Sequence, residues 1–414
     1  MDSLPLFVTI KQRVYFLVFL SFIFLINLSI LYNNYTKLKQ TKIYHTTATI
    51  KNIYKKDNYN ILKGKNSDFE FFTSYKNNQL KQGDKISIYI ITKNIDFISY
   101  LKGFYCKSFN ITKIESSKSY KSKLINFIEE QHQTKELSSL YKALYLAIPI
   151  NSDLRDTISM FGISHLIAIS GFHLGLISFI LYFILNQIYT PVHTRKVPYR
   201  HKQLDILIVV SFILFGYLYF LDFTPSLLRA YMMYILAIFF LINNIKILSV
   251  DTLFIATVIL ISLNPKLLFS ISLWLSVAGV YYILLFIKYF ENLNRYIQLF
   301  LFNFWIFFAI NPIVHYLFGS VSLYQLLSPI LTLLFTIFYP LSILLHLIGY
   351  GYIFDNYIQK VIDLELHNYE IFTPSGVMFI YLIISILGYK NRIIFILLNM
   401  ILIGYNIWLY SFLF

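Results

Sequence analysis

The sequence predicts a polytopic α-helical membrane protein with a small β-rich domain outside the cytoplasm, placed directly after the first transmembrane helix. Three observations predict this class. Of the 414 residues, 57% are hydrophobic and only 13% are charged, which is too apolar for a soluble protein of this length. The apolar residues are collected in runs, several of them long enough to cross a bilayer. A lysine-rich segment separates the first run from the others.

The chain is expected to begin with a membrane anchor. Lys11 and Arg13 precede an apolar run from Val14 to Tyr32, which is about the length that spans the bilayer core. A secretory signal peptide would have a shorter apolar core and a small-residue cleavage site. Residues 1–36 are therefore predicted to be a cytoplasmic stub followed by an uncleaved transmembrane helix.

Residues 37–118 are predicted to form a water-facing β-domain. Between Lys37 and Lys142 the chain has 20 lysines against 9 acidic residues, so most of the net charge of +15 lies in this region. Five short runs rich in Ile, Tyr, Thr and Phe are typical of strands; they cover residues 42–54, 59–63, 68–75, 85–92 and 104–114. Five strands in about 75 residues favour a small barrel of the OB type, a scaffold that often binds single-stranded nucleic acid. A generic soluble β-domain fits the same pattern.

The positive charge has a second explanation. The whole chain is rich in Ile, Lys, Asn, Phe and Tyr, as the codons of an AT-rich genome would produce, so the charge by itself is a weak argument for an anionic partner. After the β-domain, residues 119–160 alternate apolar and polar side chains at helical spacing. They are expected to form amphipathic helices at the membrane surface.

Residues 161–414 are predicted to form a membrane domain with broken and re-entrant helices. Nine apolar segments follow residue 164, and several are short or interrupted by proline. The segment 323–350 contains Pro329 and Pro340 and is expected to enter and leave the membrane on one side as a re-entrant pair. The positive-inside rule places the basic loops at 195–202, 246, 288–295 and 390–392 in the cytoplasm. This puts the β-domain and residues 355–370 outside.

Polar residues interrupt the apolar segment that begins near residue 161. They are Ser164, His165, Ser170, Gly171, His173 and Gly175. Polar groups at membrane depth normally face a bundle interior, a cavity or a path. Gly171 and Gly175 are four residues apart and would let another helix approach closely. In a continuous helix His165 and His173 lie about 80° apart, which would let both border one cavity.

These residues have three other interpretations. The histidines would serve helix packing if they were bonded to neighbouring helices. A metal pair is disfavoured because there is no HExxH and no carboxylate within a turn or two. A serine protease is disfavoured because Ala168-Ile-Ser-Gly lacks the first glycine of a GxSG motif. The single cysteine, Cys106, excludes an intrachain disulfide and a multi-cysteine zinc site. Neither catalytic residues nor metal ligands are predicted.

Two further polar interruptions follow. Pro225 suits the first turn of a helix with Thr224 as its N-cap, which places Arg229 inside the apolar helix by about one turn. Arg229 is either a structural partner of Asp222 or a contact for an anionic substrate. Asn311, Pro312 and His315 are expected to break a later span in a similar way.

Two stretches carry a resemblance to a known family. Residues 161–177 read FGISHLIAISGFHLGLI and residues 225–233 read PSLLRAYMM. They are similar to the patterns GLSHLLAISGLHVGLI and PSVLRA of ComEC-type competence DNA channels, and the order of the surrounding elements agrees along the whole chain. Many members continue into a metallo-β-lactamase-like domain with an HxHxDH cluster, which this sequence lacks, so nuclease activity is not expected. The family's Asp-Pro before a Leu-Ser-rich span is replaced by Ser270-Ile271.

The resemblance implies a multi-pass protein of the bacterial inner membrane that carries single-stranded DNA into the cytoplasm during natural transformation. The path would be bordered by His165, His173, Arg229 and His315, with Ser164 and Ser170 as neutral donors and Gly171, Gly175, Pro225, Asn311 and Pro312 shaping the helices. Phosphates would bind Lys51, Lys55, Lys56, Lys63 and Lys65, and bases would stack on Tyr54 and Tyr59.

The partners implied are the lipid bilayer, a periplasmic DNA-binding competence protein, and a cytoplasmic motor or single-stranded-DNA-binding proteins. No GxxxxGK[ST] motif occurs, so no cofactor and no enzymatic activity of this chain are expected. The alternative function is a small-solute or lipid transporter with the same broken helices, and the third is an intramembrane hydrolase. The oligomeric state, including a homo-oligomer, and the energy source stay open.

Overall fold

The computed structural model describes residues 9–55, 59–76, 80, 83–114, 120–364 and 367–413. The chain divides into two compact units. The β unit comprises Pro5–Phe127 and Phe254–Leu273, and the membrane unit comprises Ile128–Leu253 and Trp274–Phe414. Across the described residues, eight helices are long and apolar enough to cross a membrane. The predicted class, a polytopic helical membrane protein with a β-rich region after the first helix, is confirmed.

The anchor is helix α1, Ile10–Gln40. Thr9 begins it with a capping box, because the Thr9 hydroxyl accepts from the Gln12 amide and the Gln12 side chain accepts from the Thr9 amide, both at 3.2 Å. The helix is longer than the apolar run that predicted it. Its last turns bury Tyr35 and Leu38 in the core of the β-domain, so the anchor and the domain share one hydrophobic core.

The β-domain is a six-stranded sheet of order β5-β3-β2-β1-β4-β6 with helix α2, Phe97–Lys102, before β5. Its strands are β1 (Ile43–Lys55), β2 (Asn60–Lys65), β3 (Glu70–Tyr75), β4 (Lys85–Ile91), β5 (Phe104–Tyr105) and β6 (Ser108–Ile114). Each of the five strand runs predicted from the sequence overlaps a strand. The inward residues of β4 show the period of two that carried the prediction, since Ile86, Ile88 and Ile90 are all fully buried.

Long strand β1 pairs with two neighbouring strands. Its first half pairs with β4 and its second half with β2, and Thr49 is opposite both Lys65 and Lys85. The register shifts between Ile50 and Asn52, where a bulge bends the strand. Strand β5, which pairs with β3, and strand β6, which pairs with β4, form the two edges of the sheet. Only two residues separate them along the chain. The β3–β5 pair is parallel and the others are antiparallel.

Fourteen helices follow the sheet in the described chain. They are α3 (Tyr120–Glu129), α4 (Lys135–Leu146), α5 (Ser152–Met160), α6 (Ser164–Ile167), α7 (Gly171–Lys196), α8 (Lys202–Phe220), α9 (Pro225–Ile242), α10 (Val250–Leu263), α11 (Ile271–Phe290), α12 (Arg295–Leu317), α13 (Ser328–Leu347), α14 (Asp355–Ile362), α15 (Ser375–Gly388) and α16 (Arg392–Ser411). Two short strands, β7 (Ser320–Val321) and β8 (Tyr369–Glu370), pair with each other.

Helix α12 continues through Pro312, so the expected break at Asn311–Pro312 is wrong. A proline inside a helix leaves the carbonyl four residues earlier without its amide partner. Here the Asn406 side chain of α16 donates to the Phe308 carbonyl at 3.4 Å, and the Tyr381 hydroxyl donates to the Ala309 carbonyl at 2.6 Å. Neighbouring helices therefore take over the hydrogen bonds that the proline disrupts, which keeps the helix intact.

Most of the segment 323–350 is the single helix α13, Ser328–Leu347, which follows a 3-10 turn at Leu323–Leu327; it is not the expected pair of half-helices. Pro329 lies in its first turn, where a missing amide costs nothing, and Pro340 lies inside it. The two ends of this part of the chain are nevertheless close together. The β7–β8 pair and the hydrogen bond from the Ile371 amide to the Gly319 carbonyl, 2.7 Å, bring the end of α12 beside the start of α15. The chain from 322 to 368 thus leaves and returns at one place.

Two of the basic loops lie at the same end of the membrane unit. The Lys288 ammonium donates to the Tyr389 carbonyl and lies 4.1 Å from the centre of the Tyr389 ring. The loop at 288–295 is therefore adjacent to the loop at 390–392, as the positive-inside argument requires of loops on one side. Which side faces the cytoplasm stays a prediction.

Candidate functional site

The candidate site is the polar stretch at residues 161–177, here called the signature, and the helices that contact it. The stretch follows the end of α5 and contains the short helix α6 and the start of α7. Gly162 turns the chain between α5 and α6 with φ of +68°, a conformation that glycine adopts without strain. The Gly162 carbonyl accepts from the Ser328 hydroxyl of α13 at 3.0 Å, which fixes the turn on that helix.

His165 is exposed at the first turn of α6, as is Ser164. Its Nδ1 lies 3.1 Å from the Gly162 carbonyl, which can only accept, so Nδ1 bears a proton and the neutral ring presents Nε2 as an acceptor. Although the side chain reaches solvent, desolvation by the surrounding protein lowers the pKa of the imidazole, and the bond to Gly162 opposes this only in part. The lowered pKa favours the neutral ring.

His173 occupies the first turn of α7 and is completely buried. The Ser170 amide donates to its Nδ1 at 3.3 Å, so the neutral ring carries its proton on Nε2. That buried Nε2 has no hydrogen-bond partner among the described residues. The ring packs edge-on against Tyr339 of α13, with centroids 4.6 Å apart, and Phe335 lies 5.6 Å away. His173 therefore caps α7 and also holds an unused donor, a costly feature in a buried site.

The helix break at 168–170 changes the geometry expected from spacing. His165 and His173 belong to separate helices, so the 80° argument for one continuous helix does not apply. Gly171 lies beside Ala230 of α9, but a Cβ there would make an ordinary contact at 3.7 Å, so this approach does not require glycine. Gly175 does not pack in this way, since no described atom would lie within 4 Å of its Cβ.

Pro225 begins α9 as predicted, and Thr224 is in the N-cap position. The Thr224 hydroxyl makes no cap hydrogen bond and is buried without a partner among the described residues. Asp222 and Phe223 both have positive φ, 54° and 51°, in the turn before it, which is uncommon for residues other than glycine. Arg229 is only 8% exposed. Its place inside the helix is confirmed, and the choice between Asp222 and a substrate as its partner stays a prediction.

Asn311, Pro312 and His315 lie in a different packing group. All three are buried in α12, where the Asn311 amide donates to Asn406 Oδ1 of α16 at 2.7 Å. His315 is 2% exposed and its Nδ1 has no partner among the described residues. No hydrogen bond or ring contact of the described residues joins these side chains to His173. Asn311 therefore serves helix packing, and a path through both groups stays a prediction.

The β-domain brings several of the predicted DNA-binding residues together on β1, β2 and β3. Lys63 and Lys65 lie 3.0 and 3.4 Å from the Glu70 carboxylate, and the Lys63 ammonium is 5.6 Å from the centre of the Phe72 ring. Burial raises the pKa of Glu70, but the two lysines outweigh it and the pKa lies below its ordinary value. Tyr54 is 36% exposed and its ring is 6.5 Å from that of Phe72.

A cleft of about 310 Å³ opens beside Lys65, at the bulge of β1. It is lined by Thr47, Ala48, Thr49, Lys51, Lys65, Asn66, Ser67 and Lys85. Lys51 and Lys65 were candidates from the sequence, whereas Lys85 and the hydroxyl and amide groups were not. The predicted contact Tyr59 is 42% exposed in the chain before β2. Lys56 and the side chain of Lys55 lie outside the described part of the chain.

One buried polar cluster of the membrane unit was missed from the sequence. His132 lies between α3 and α4, and its ring contacts His346 at the end of α13 and Asp355 at the start of α14, at 3.0 and 2.9 Å. The histidines are separated by 214 residues, and nothing in the local sequence around either one indicates a partner.

The fold and the signature together define a multi-pass membrane protein with polar groups inside its helical unit. A family model described as competence protein matches residues 149–372, which is more than half of the chain and includes the signature, α9 and α13. The chain belongs to this family, the domain of ComEC-type proteins. Membership supports a role in DNA uptake during competence. No curated protein and no solved structure matches the chain.

Proposed function

We propose that the chain carries single-stranded DNA through the bacterial inner membrane, with the β-domain collecting the strand and the signature region passing it. The observation that carries the proposal is the competence family match over residues 149–372, which contains the signature. DNA uptake requires a polyanion to pass a membrane unit. Polar groups buried in such a unit are costly and usually functional.

The strand order of the β-domain supports a role in collecting the strand. A long bent first strand shared by two neighbours, a three-strand meander and a parallel pair between the third and fifth strands are features that OB-type barrels share. Such barrels bind single strands on the face of strands 2 and 3. Lys63, Lys65, Phe72 and Tyr54 lie on β1 to β3, and they combine phosphate-binding cations with rings on which bases stack.

The signature supports passage by neutral groups rather than by a line of charges. His165 presents an acceptor, and His173 holds an unused donor beside α13. Such groups can exchange hydrogen bonds with bases and phosphates without holding the strand as tightly as an array of ammonium groups. Arg229, buried in α9, would supply one cation on this route.

Collection of the strand by the β-domain is tested by oligonucleotide binding to the full chain in lipid nanodiscs. Glu70→Gln removes the carboxylate that neutralises Lys63 and Lys65, so we expect tighter binding of single strands. The log-log salt dependence should become steeper by roughly 0.7 for each additional phosphate that the lysines bind. Replacing both lysines by alanine should have the opposite effect.

The matched control is Glu129→Gln, which releases Lys142 from an equivalent ion pair in the membrane unit and should leave binding unchanged. Equal responses of the two glutamine variants would contradict strand collection by the β-domain. Salt-independent or undetectable binding would do the same, and would favour a small-solute or lipid transporter.

A further inference from the structure

The buried cluster of His132, His346 and Asp355 has a hydrogen-bond pattern that leaves one proton position unfilled. The His132 side chain is fully buried, and the Asp355 side chain is 7% exposed. His132 Nδ1 lies 2.9 and 3.0 Å from the two Asp355 oxygens. His346 Nδ1 lies 2.7 Å from the Ser342 carbonyl. The two Nε2 atoms face each other at 3.0 Å.

The geometry fixes the number of protons that the cluster needs. The Ser342 carbonyl can only accept, so His346 Nδ1 is protonated and its Nε2 is a lone pair when the ring is neutral. His132 must then donate from Nε2. Its Nδ1 faces the Asp355 carboxylate, and a hydrogen bond between them also requires a proton on Nδ1. The three side chains thus hold one proton more than one carboxylate and two neutral imidazoles would. With that proton bound, the cluster has no net charge.

The surroundings keep this proton apart from other titrating groups. The titratable side chains that face the pair are Asp355 of α14 and the phenols of Tyr141 and Tyr145 of α4. The Tyr141 ring stacks on His132 at 4.4 Å and 4°. Burial raises the pKa of both phenols, so they stay neutral. No described group of three or more His, Cys, Asp or Glu residues has the geometry to hold a metal ion.

The cluster lies within a clasp between the α3–α4 loop and the α13–α14 turn. The Gln131 side chain donates to the His346 carbonyl at 3.2 Å and accepts from the Gly351 amide at 2.9 Å. Thr134 donates to the Gln359 side chain at 2.9 Å. Gly351 leaves room for this contact, since a Cβ there would lie 2.6 Å from Gln131 Oε1. These neutral bonds align the loop, and the His132–His346 contact lies at their centre.

We propose that Asp355, His132 and His346 form a proton-binding site, and that the one shared proton closes the clasp between the α3–α4 loop and the α13–α14 turn. Without it, two nitrogen lone pairs would face each other beside an uncompensated buried carboxylate. With a second proton, two N–H groups would face each other and the buried cluster would carry a net positive charge. The clasp is therefore closed only in the singly protonated state.

The site acts on a helix that also contacts the signature. His346 lies at the end of α13, and Tyr339, two turns earlier, packs on His173. Opening the clasp releases the end of α13 from the α3–α4 loop, which loosens the support of Tyr339 against that ring. This coupling between the clasp and His173 does not depend on what passes the signature.

The test compares two variants that remove the need for the proton. In His346→Gln the side-chain amide can present either its oxygen or its NH₂ group to His132, so a neutral ring is satisfied. In Asp355→Asn the amide donates to Nδ1, and neutral His132 donates from Nε2. We expect the melting temperature of the wild-type chain in nanodiscs to fall as the pH is lowered from 7 to 5. That of His346→Gln should fall much less, because one buried neutral histidine is removed and His132 can still take up a proton beside Asp355 in the folded chain. That of Asp355→Asn should fall more steeply than the wild type, because both histidines are then buried neutral and only the unfolded chain takes up protons.

His367→Gln replaces an exposed histidine between α14 and β8. It should keep the wild-type dependence of the melting temperature on pH. Parallel profiles of the wild type and both variants would overturn the proposal. The metal content of the purified wild-type chain gives a second readout. One bound metal ion per chain, lost in His346→Gln, would also overturn it, because a cation and not a proton would then lie between the two Nε2 atoms. If one variant fails to insert, the other still decides the result.

Discussion

Replacing His173 by glutamine should strongly slow the arrival of DNA in the cytoplasm while leaving the protein folded in the membrane. Glutamine at the third position of a helix is the residue that completes a capping box, because its side-chain oxygen accepts from the N-cap amide. It therefore preserves the bond from Ser170 but removes the imidazole Nε2 donor. Losing a hydrogen bond of about 1.5–3 kcal/mol to an anionic group corresponds to a rate decrease of roughly 10- to 100-fold.

The measurement pairs membrane abundance by immunoblot with the amounts of labelled DNA in periplasm and cytoplasm. DNA should continue to reach the periplasm. His193→Gln is the matched control, since it changes a half-buried histidine near the other end of α7. Its Nε2 bonds the Arg200 carbonyl at 2.8 Å, a bond that a glutamine amide can also donate, so both readouts should be unchanged. Normal transport by His173→Gln would mean that the imidazole serves only as a helix cap.

Replacing Gly319 by alanine should strongly destabilise the membrane unit. Gly319 has φ of +65°, and a Cβ there would lie 2.5 Å from the Phe372 ring. The left-handed conformation costs about 1–2 kcal/mol for alanine, and the overlap adds about 1–3 kcal/mol. The residue joins α12 to β7, and its carbonyl accepts from the Ile371 amide. The substitution therefore disrupts the junction at which the chain from 322 to 368 returns.

Thermal unfolding and the yield of inserted protein measure this effect. Gly175→Ala is the control, because a Cβ there meets no described atom within 4 Å and alanine stabilises a helix by up to about 1 kcal/mol. Adding Phe372→Ala to Gly319→Ala should relieve the overlap but not the backbone strain, and so restore stability in part. A Gly319→Ala protein as stable as the wild type would contradict this account of the junction.

The parts of the fold that the sequence predicts are those set by short-range patterns. The anchor follows from one long apolar run, and β4 follows from alternating isoleucines that are buried as their spacing requires. The errors arose where distant residues compensate a local signal. Pro312 is typical of a break, but the residue that binds the Phe308 carbonyl is Asn406, 98 positions away along the chain. Pro329 begins α13 rather than interrupting it.

In the candidate site, too, local contacts follow from the sequence and contacts between distant residues do not. Ser170 and His173 are three residues apart, and their contact is a local one that a helix start makes available. Glu70 neutralises Lys63 and Lys65 from a neighbouring strand, so a count of lysines overstates the charge that DNA would meet. The His132–His346 contact joins residues whose neighbours in sequence give no periodic or motif signal. Only the folded chain brings them together.

The central claim is that single-stranded DNA passes along the signature, and site-specific photo-crosslinking during uptake tests it most directly. A photoreactive amino acid at Ser164, which is exposed in the signature, should crosslink to incoming labelled DNA, and the adduct should be sensitive to a nuclease specific for single strands. The same amino acid at Ile407, which is 66% exposed on apolar helix α16, should give none. Equal labelling at both positions, or no labelling at Ser164 while DNA still reaches the cytoplasm, would contradict the account.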